Sequence, residues 1–136
     1  ERFARTTDFF STFGGNPVAM AAALAVLDVV EDERIVDNSV ATGDYLRARL
    51  RDVAAGSAVV REVRGMGLAT GVEVADAVTA LEIVEGLRER GVLVGTCGAA
   101  GNVLKIRPPL VFRPAHADEL ADALAATLLE VSGETA

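Results

Sequence analysis

An unbroken apolar run from Val18 to Leu27 dominates the front of the chain. Alanines fill half of it, and Asn16 and Pro17 stand just ahead, suited to the N-cap and first helical position. The pattern predicts a helix from about Pro17 to Val30 that is apolar nearly all round, and so needs cover on more than one side. Asp32 is expected to cap a second helix reaching about Ala54, because Val36, Val40, Gly43, Leu46, Leu50 and Val53 recur three or four residues apart. Arg47, Arg49 and Arg51 fall late in that helix, where cations suit the helix dipole, and read as a solvated face. Gly56 is its stop. The period then changes to two. Val59–Arg64 and Leu68–Val74 read as strands about the turn Gly65-Met66-Gly67, with Val72-Glu73-Val74 alternating. Ala77, Ala80, Leu81, Val84 and Leu87 form a third helical stripe ending at Gly91. Val92–Thr96 and Val103–Arg107 read as strands around a glycine-rich loop, and Leu110–Phe112 as a short extended piece. Pro108 and Pro109 end the preceding ladder because neither has an N–H to give. Pro114 opens a last helix with Leu120, Leu124, Leu128 and Val131 on its core face.

This order predicts an α+β (α/β) fold: a small, mostly antiparallel sheet covered by helices on one face. It divides the chain into a lead-in loop (1–16), a connector helix (17–31), a compact domain (32–131) and a polar tail (132–136). At 136 residues there is room for one core, and 51% hydrophobic against 24% charged residues is a globular balance. The net charge of −7, from 20 acids and 13 bases with no basic cluster, argues against nucleic acid as a partner. Cys97 is the only cysteine, which excludes an intrachain disulfide and favours a reducing, cytoplasmic setting. The apolar run is well short of the roughly 20 residues that span a bilayer, and Glu1–Arg5 lacks the apolar core of a secretory leader, so no membrane association is expected. The first ten residues show no periodicity and read as belonging to something upstream.

Two places carry candidate chemistry. Ser11-Thr12-Phe13-Gly14-Gly15-Asn16-Pro17 is a hydroxyl-bearing loop that turns into a helix N-terminus, where free N–H groups and the dipole favour an anion such as a phosphate. A capped helix start with a glycine turn is the plainer reading of the spacing. Alternation also puts Val103, Lys105 and Arg107 on one face of a strand and Leu104 and Ile106 on the other, so two cations share a face; a solvated strand face is the alternative. Other combinations fail. Gly65, Gly67 and Gly71 are followed by strand residues, where a nucleotide fingerprint needs a helix. Cys97 and His116 make no credible nucleophile–base pair, and one of each supplies no zinc site. Glu31-Asp32-Glu33 is a helix-end cluster.

The segment Asp8–Ala19, with its run Thr12-Phe13-Gly14-Gly15-Asn16-Pro17, resembles the start of the C-terminal part of class III aminotransferases, pyridoxal-phosphate enzymes of fold type I. Val63–Leu68, Gly91–Val94 and Asn102–Leu110 are similar to the same family in the same order, so the resemblance reaches about Val131. It implies that residues 32–131 are the small C-terminal domain of an aminotransferase moving an amino group from an amine or ω-amino acid to a keto acid. It implies a homodimer in which Ser11 and Thr12 meet the phosphate of pyridoxal 5'-phosphate held mainly by the other subunit. It places Lys105 and Arg107 at the substrate, with Lys105 where many relatives carry a carboxylate-binding arginine. The lysine that forms the Schiff base lies upstream in the family. Lys105, the only lysine here, does not match it, so this chain holds no catalytic residue and alone is expected to be inactive and to bind no cofactor. A phospho-lyase on the same scaffold and a non-catalytic interaction domain are the alternatives, the first favoured by lysine at position 105.

Overall fold

Asn16 sits in an extended conformation (φ −66°, ψ 149°) and its Oδ1 accepts the N–H of Ala19 at 3.0 Å, which starts helix α1, Pro17–Asp32. In the computed structural model, which describes residues 8 and 10–133, the chain divides into two compact units, Glu1–Ile35 and Val36–Ala136. Helix α1 carries no buried residue; Val18, Leu24, Val26 and Leu27 are all more than half exposed. Asp32 does not cap the second helix as its type suggested. It is the last residue of α1, because Glu33 and Arg34 still donate back to Val29 and Glu31, and the chain breaks only at Arg34 (φ 50°). Helix α2 then runs Ile35–Ala55.

The second unit continues with β1 (Val60–Met66), β2 (Ala69–Val74), α3 (Ala77–Glu89), β3 (Gly95–Cys97), β4 (Val103–Ile106) and α4 (Pro114–Val131). The four strands lie in the order β1-β2-β4-β3, every pairing antiparallel. Gly71 sits opposite Arg64 of β1 and Lys105 of β4, and Gly95 of β3 lies opposite Lys105 from the other side. Val63, Val72, Val74, Leu104 and Ile106 point to one face and meet Leu46 and Leu50 of α2, Ile83 and Leu87 of α3, and Leu120, Leu124 and Leu128 of α4. The expected two-layer plan, a small antiparallel sheet with helices on one face, is therefore the one observed.

Several local expectations are corrected. The stripe on α2 is buried only from Gly43 onward: Leu46 and Leu50 are inaccessible, while Val36 and Val40 are exposed. On α3 the buried positions are Ala80, Ile83 and Leu87; Leu81 is exposed because the helix is rotated to bring Ile83 inward. Strand β3 begins at Gly95 and not at Val92: the Val92 N–H still closes onto Leu87 O of α3. Residues 110–112 form a turn and not an extended piece, closed by Phe112 N–H on Pro109 O at 2.9 Å, and Asn38 Nδ2 donates to the carbonyls of Leu110 and Phe112.

The largest correction concerns Arg47. It is 6% exposed, not solvated. Its Nη1 donates to Gly67 O at 2.5 Å and its Nη2 pairs with Asp44 at 2.6 Å. One turn earlier, Gly43 brings the α2 backbone against the β1–β2 turn so closely that a Cβ there would collide with the Gly67 carbonyl. Gly67 itself has φ +52°. A buried arginine is tolerated because its donors meet a carbonyl and a carboxylate.

Helices α2 and α4 are joined at the surface by Asp118, whose Oδ1 accepts from Arg49 Nε at 2.8 Å and Tyr45 OH at 2.9 Å. At the start of α4 the Arg113 N–H donates to His116 Nδ1 at 3.1 Å, so the exposed His116 closes the helix end.

Gly43→Ala should destabilise the protein by at least about 1–3 kcal/mol, since the added methyl meets backbone and no side chain can yield. Gly56→Ala, whose Cβ would make only an ordinary contact with Val53 O at 4.0 Å, should be close to neutral in the same thermal melts. The Arg49 and Tyr45 hydrogen bonds hold the Asp118 carboxyl below its usual pKa. Its contribution is therefore complete above the ordinary aspartate value of about 3.9 and lost as pH falls through the lower folded value. Asp118→Asn should lower the melting temperature at pH 7 and lose that effect under strongly acidic conditions.

Candidate functional site

In the first unit the loop before α1 is organised by its own polar groups. Ser11 Oγ accepts the Gly14 N–H at 2.9 Å, and Asn16 Nδ2 donates to Phe13 O at 2.7 Å. Gly14 is required by that contact, because a Cβ would press on Ser11 Oγ at 2.8 Å. Gly15 takes φ +76°, where a side chain is strained. Ser11 is thus partly committed to shaping the loop, though its own hydroxyl proton is still available. Thr12 is exposed and has no hydrogen-bond partner among the described residues. Asn16 occupies the Ala19 N–H, while Val18 N–H at the helix start is not taken up by the cap. An exposed hydroxyl, a free amide and the positive end of a 16-residue helix make a fit for a phosphate oxygen.

In the second unit the helix-free face of the sheet carries Glu62 and Arg64 of β1, Gly71 and Glu73 of β2, Val103 and Lys105 of β4, and Cys97 of β3. The expected alternation holds. Leu104 and Ile106 are buried under the helices, while Lys105 is half-buried and Arg107 exposed on the opposite side. Lys105 and Arg107 both line a shallow concavity of about 390 Å³. Neither makes an ion pair among the described residues. No pattern within its own strand singles out Arg64, which lines the same concavity. Its Nη1 donates to Glu62 Oε2 and Glu73 Oε2, each at 2.6 Å, and the Glu73 bond foremost raises the guanidinium pKa further. Only strand register brings it to Lys105, and register is not written in a single strand's pattern.

A second hollow of about 470 Å³ lies where residues 91–94 meet the end of β4 and the start of α4. It is mostly apolar, and Arg107, His116 and Glu119 are its charged or ionisable lining. Among the described residues no group of three metal-ligating side chains converges, and no helix is long and apolar enough to cross a membrane.

A sequence model of the class III aminotransferases matches residues 2–128. The chain is 39% identical over 124 residues to alanine–glyoxylate aminotransferase 2 homolog 2, mitochondrial, of Arabidopsis thaliana, covering 85% of this chain and 26% of that protein. It is 40% identical over 117 residues to acetylornithine aminotransferase of Methanothermobacter thermautotrophicus, covering 86% and 29%. Among solved structures, an Arthrobacter phospholyase in complex with phosphoethanolamine superposes with a TM-score of 0.85 at 41% identity, over 93% of this chain and 32% of that one. The fold is that of a fold type I aminotransferase, and the chain belongs to the class III aminotransferase family. It spans between a quarter and a third of the length of the curated relatives it matches.

Proposed function

We propose that this chain serves as the C-terminal domain of a pyridoxal-5'-phosphate-dependent aminotransferase that transfers an amino group from an amine or ω-amino acid to a keto acid. The enzyme works in the cytoplasm as a homodimer, with the Ser11–Asn16 loop reaching a cofactor held mainly by the other subunit. The observation that carries this reading is the uncommitted Thr12 hydroxyl at the capped N-terminus of α1, in a chain of this family. The apolar α1, which carries no buried residue, supports it, since such a surface suits an interface.

The cofactor supplies an electron sink for the substrate's amine carbon. The residues of this chain bind and orient. Ser11 holds Gly14 and so shapes the loop; Thr12 donates to a phosphate oxygen beside the helix dipole. Lys105 and Arg107 attract an anionic group of the substrate to the open sheet face. Lys105 is in a strand and is no replacement for the covalent lysine, which would come from a part of the enzyme upstream of this chain.

Lysine at position 105 favours a second reading, a phospho-lyase acting on a phosphorylated amine. A lysine is a point charge that suits phosphate, whereas two-pronged carboxylate recognition calls for arginine. The likeness to the Arthrobacter phospholyase points the same way.

In the complete enzyme, Thr12→Ala should weaken cofactor binding about ten- to a hundredfold, the equivalent of roughly 1.5–3 kcal/mol for a hydrogen bond to a charged group. Unchanged affinity in an equilibrium titration would mean that the hydroxyl serves the loop only. Lys105→Arg should move kcat/KM toward α-amino acids and away from plain and phosphorylated amines. Identical ratios among the three substrates in both forms would make Lys105 a surface residue.

A further inference from the structure

Lys105 has a glycine on each side of it in the sheet: Gly71 on β2 and Gly95 on β3. Its stem lies over Gly95, with Cε 3.9 Å from where a Cβ would stand. Beyond Gly71, in the same lateral row, stands Arg64. Neighbouring strands are about 4.8 Å apart, so Arg64 and Lys105 arise about 9–10 Å from each other across a residue with no side chain. That spacing leaves a notch floored by the Gly71 backbone and by Val103, whose Cγ1 would lie 3.1 Å from a Cβ at position 71. Glycine within a strand lacks a packing role of its own and marks a place where something approaches the backbone closely. Gly71 has no positive φ that would call for glycine on conformational grounds.

Arg64 is held for use and is not consumed. Both carboxylates, Glu62 and Glu73, bond to Nη1. A guanidinium has five N–H donors, and those on Nη2 and Nε make no bond among the described residues. The two glutamates thus hold the guanidinium through one nitrogen, and Arg64 lines the concavity with its remaining donors unpaired among the described residues. Across the face, Arg64, Lys105 and Arg107 oppose Glu62 and Glu73, which leaves a local excess of positive charge in a chain whose net charge is −7.

We infer that Arg64 and Lys105 form a two-cation clamp over Gly71 that binds a phosphate monoester group, with Arg64 as a specificity-determining residue. This rests on the proposal that Lys105 meets the substrate's anionic group and adds Arg64 as its partner. A dianion with oxygens facing several ways can be met by the arginine's free edge from one side and the swinging lysine from the other. A carboxylate is planar and singly charged, so it offers two cations less charge and fewer oxygens than a phosphate monoester does.

The test is a ¹H–¹⁵N NMR titration of the 136-residue chain with inorganic phosphate at low salt, and with acetate as the singly charged comparison. Phosphate should shift the amides of Gly71 and Gly95 saturably, with acetate at least about fivefold weaker. Arg64→Gln and Lys105→Gln should each weaken phosphate about three- to fivefold, the scale of one partly exposed ion pair. Arg64→Lys should retain most of the affinity. Gly71→Val should abolish binding with both cations in place, and Gly71→Ala, whose methyl meets only a yielding valine side chain, should reduce it in a chain that stays folded. Weakening by Lys105→Gln but not by Arg64→Gln would overturn the clamp and leave the Lys105 proposal standing. No effect of Lys105→Gln would remove both. Absence of saturable phosphate shifts, or equal affinity for acetate, would also overturn the clamp.

Discussion

A helix backbone can touch a strand turn only where neither contributes a side chain, and the meeting of Gly43 with Gly67 is such a place. Arg47 secures it by donating to the Gly67 carbonyl from one turn further along α2. The contact fixes the tip of the β1–β2 hairpin, and the hairpin's register places Arg64 opposite Gly71. From Gly71 the same row continues to Lys105 and Gly95. One backbone approach therefore governs where the cations of the open face stand, although none of them takes part in it.

Chemistry and stability are kept on opposite sides of the sheet. The helix-covered face holds the apolar core, with Leu46, Leu50, Ile83, Leu104 and Leu124 fully out of water. The other face is free to carry charge because nothing in the core depends on it. The loop before α1 follows similar logic. Ser11 and Asn16 hydrogen-bond within the loop and set its shape, and Thr12 has no internal partner among the described residues. In the proposed function both places bind and orient, and the reacting group comes from elsewhere in the enzyme.

Much of this was legible in the sequence where a period repeats within one element. The alternation Val103–Arg107 placed Lys105 and Arg107 on one face, and the Asn16-Pro17 pair located the start of α1. What failed depended on neighbours distant along the chain. Arg47 looked like one of three solvated cations because nothing local shows that the Gly67 carbonyl waits above it. Arg64 was overlooked because its relation to Lys105 exists only through two strand registers. Asp32 was misread because an acid at a helix boundary can end one helix as readily as begin the next; the left-handed Arg34 decided which. Leu81 and Ile83 fit the same spacing, and only packing chose between them.

The account holds that this chain completes a cofactor site and does not form one. The most direct measurement is to mix the 136-residue chain with an equal amount of pyridoxal phosphate, reduce with borohydride, and map the product by peptide mass spectrometry. The account predicts no stoichiometric covalent adduct, because the lone lysine stands in β4 among cations and not at a position that matches the family's covalent lysine. A one-to-one adduct on Lys105 would contradict it.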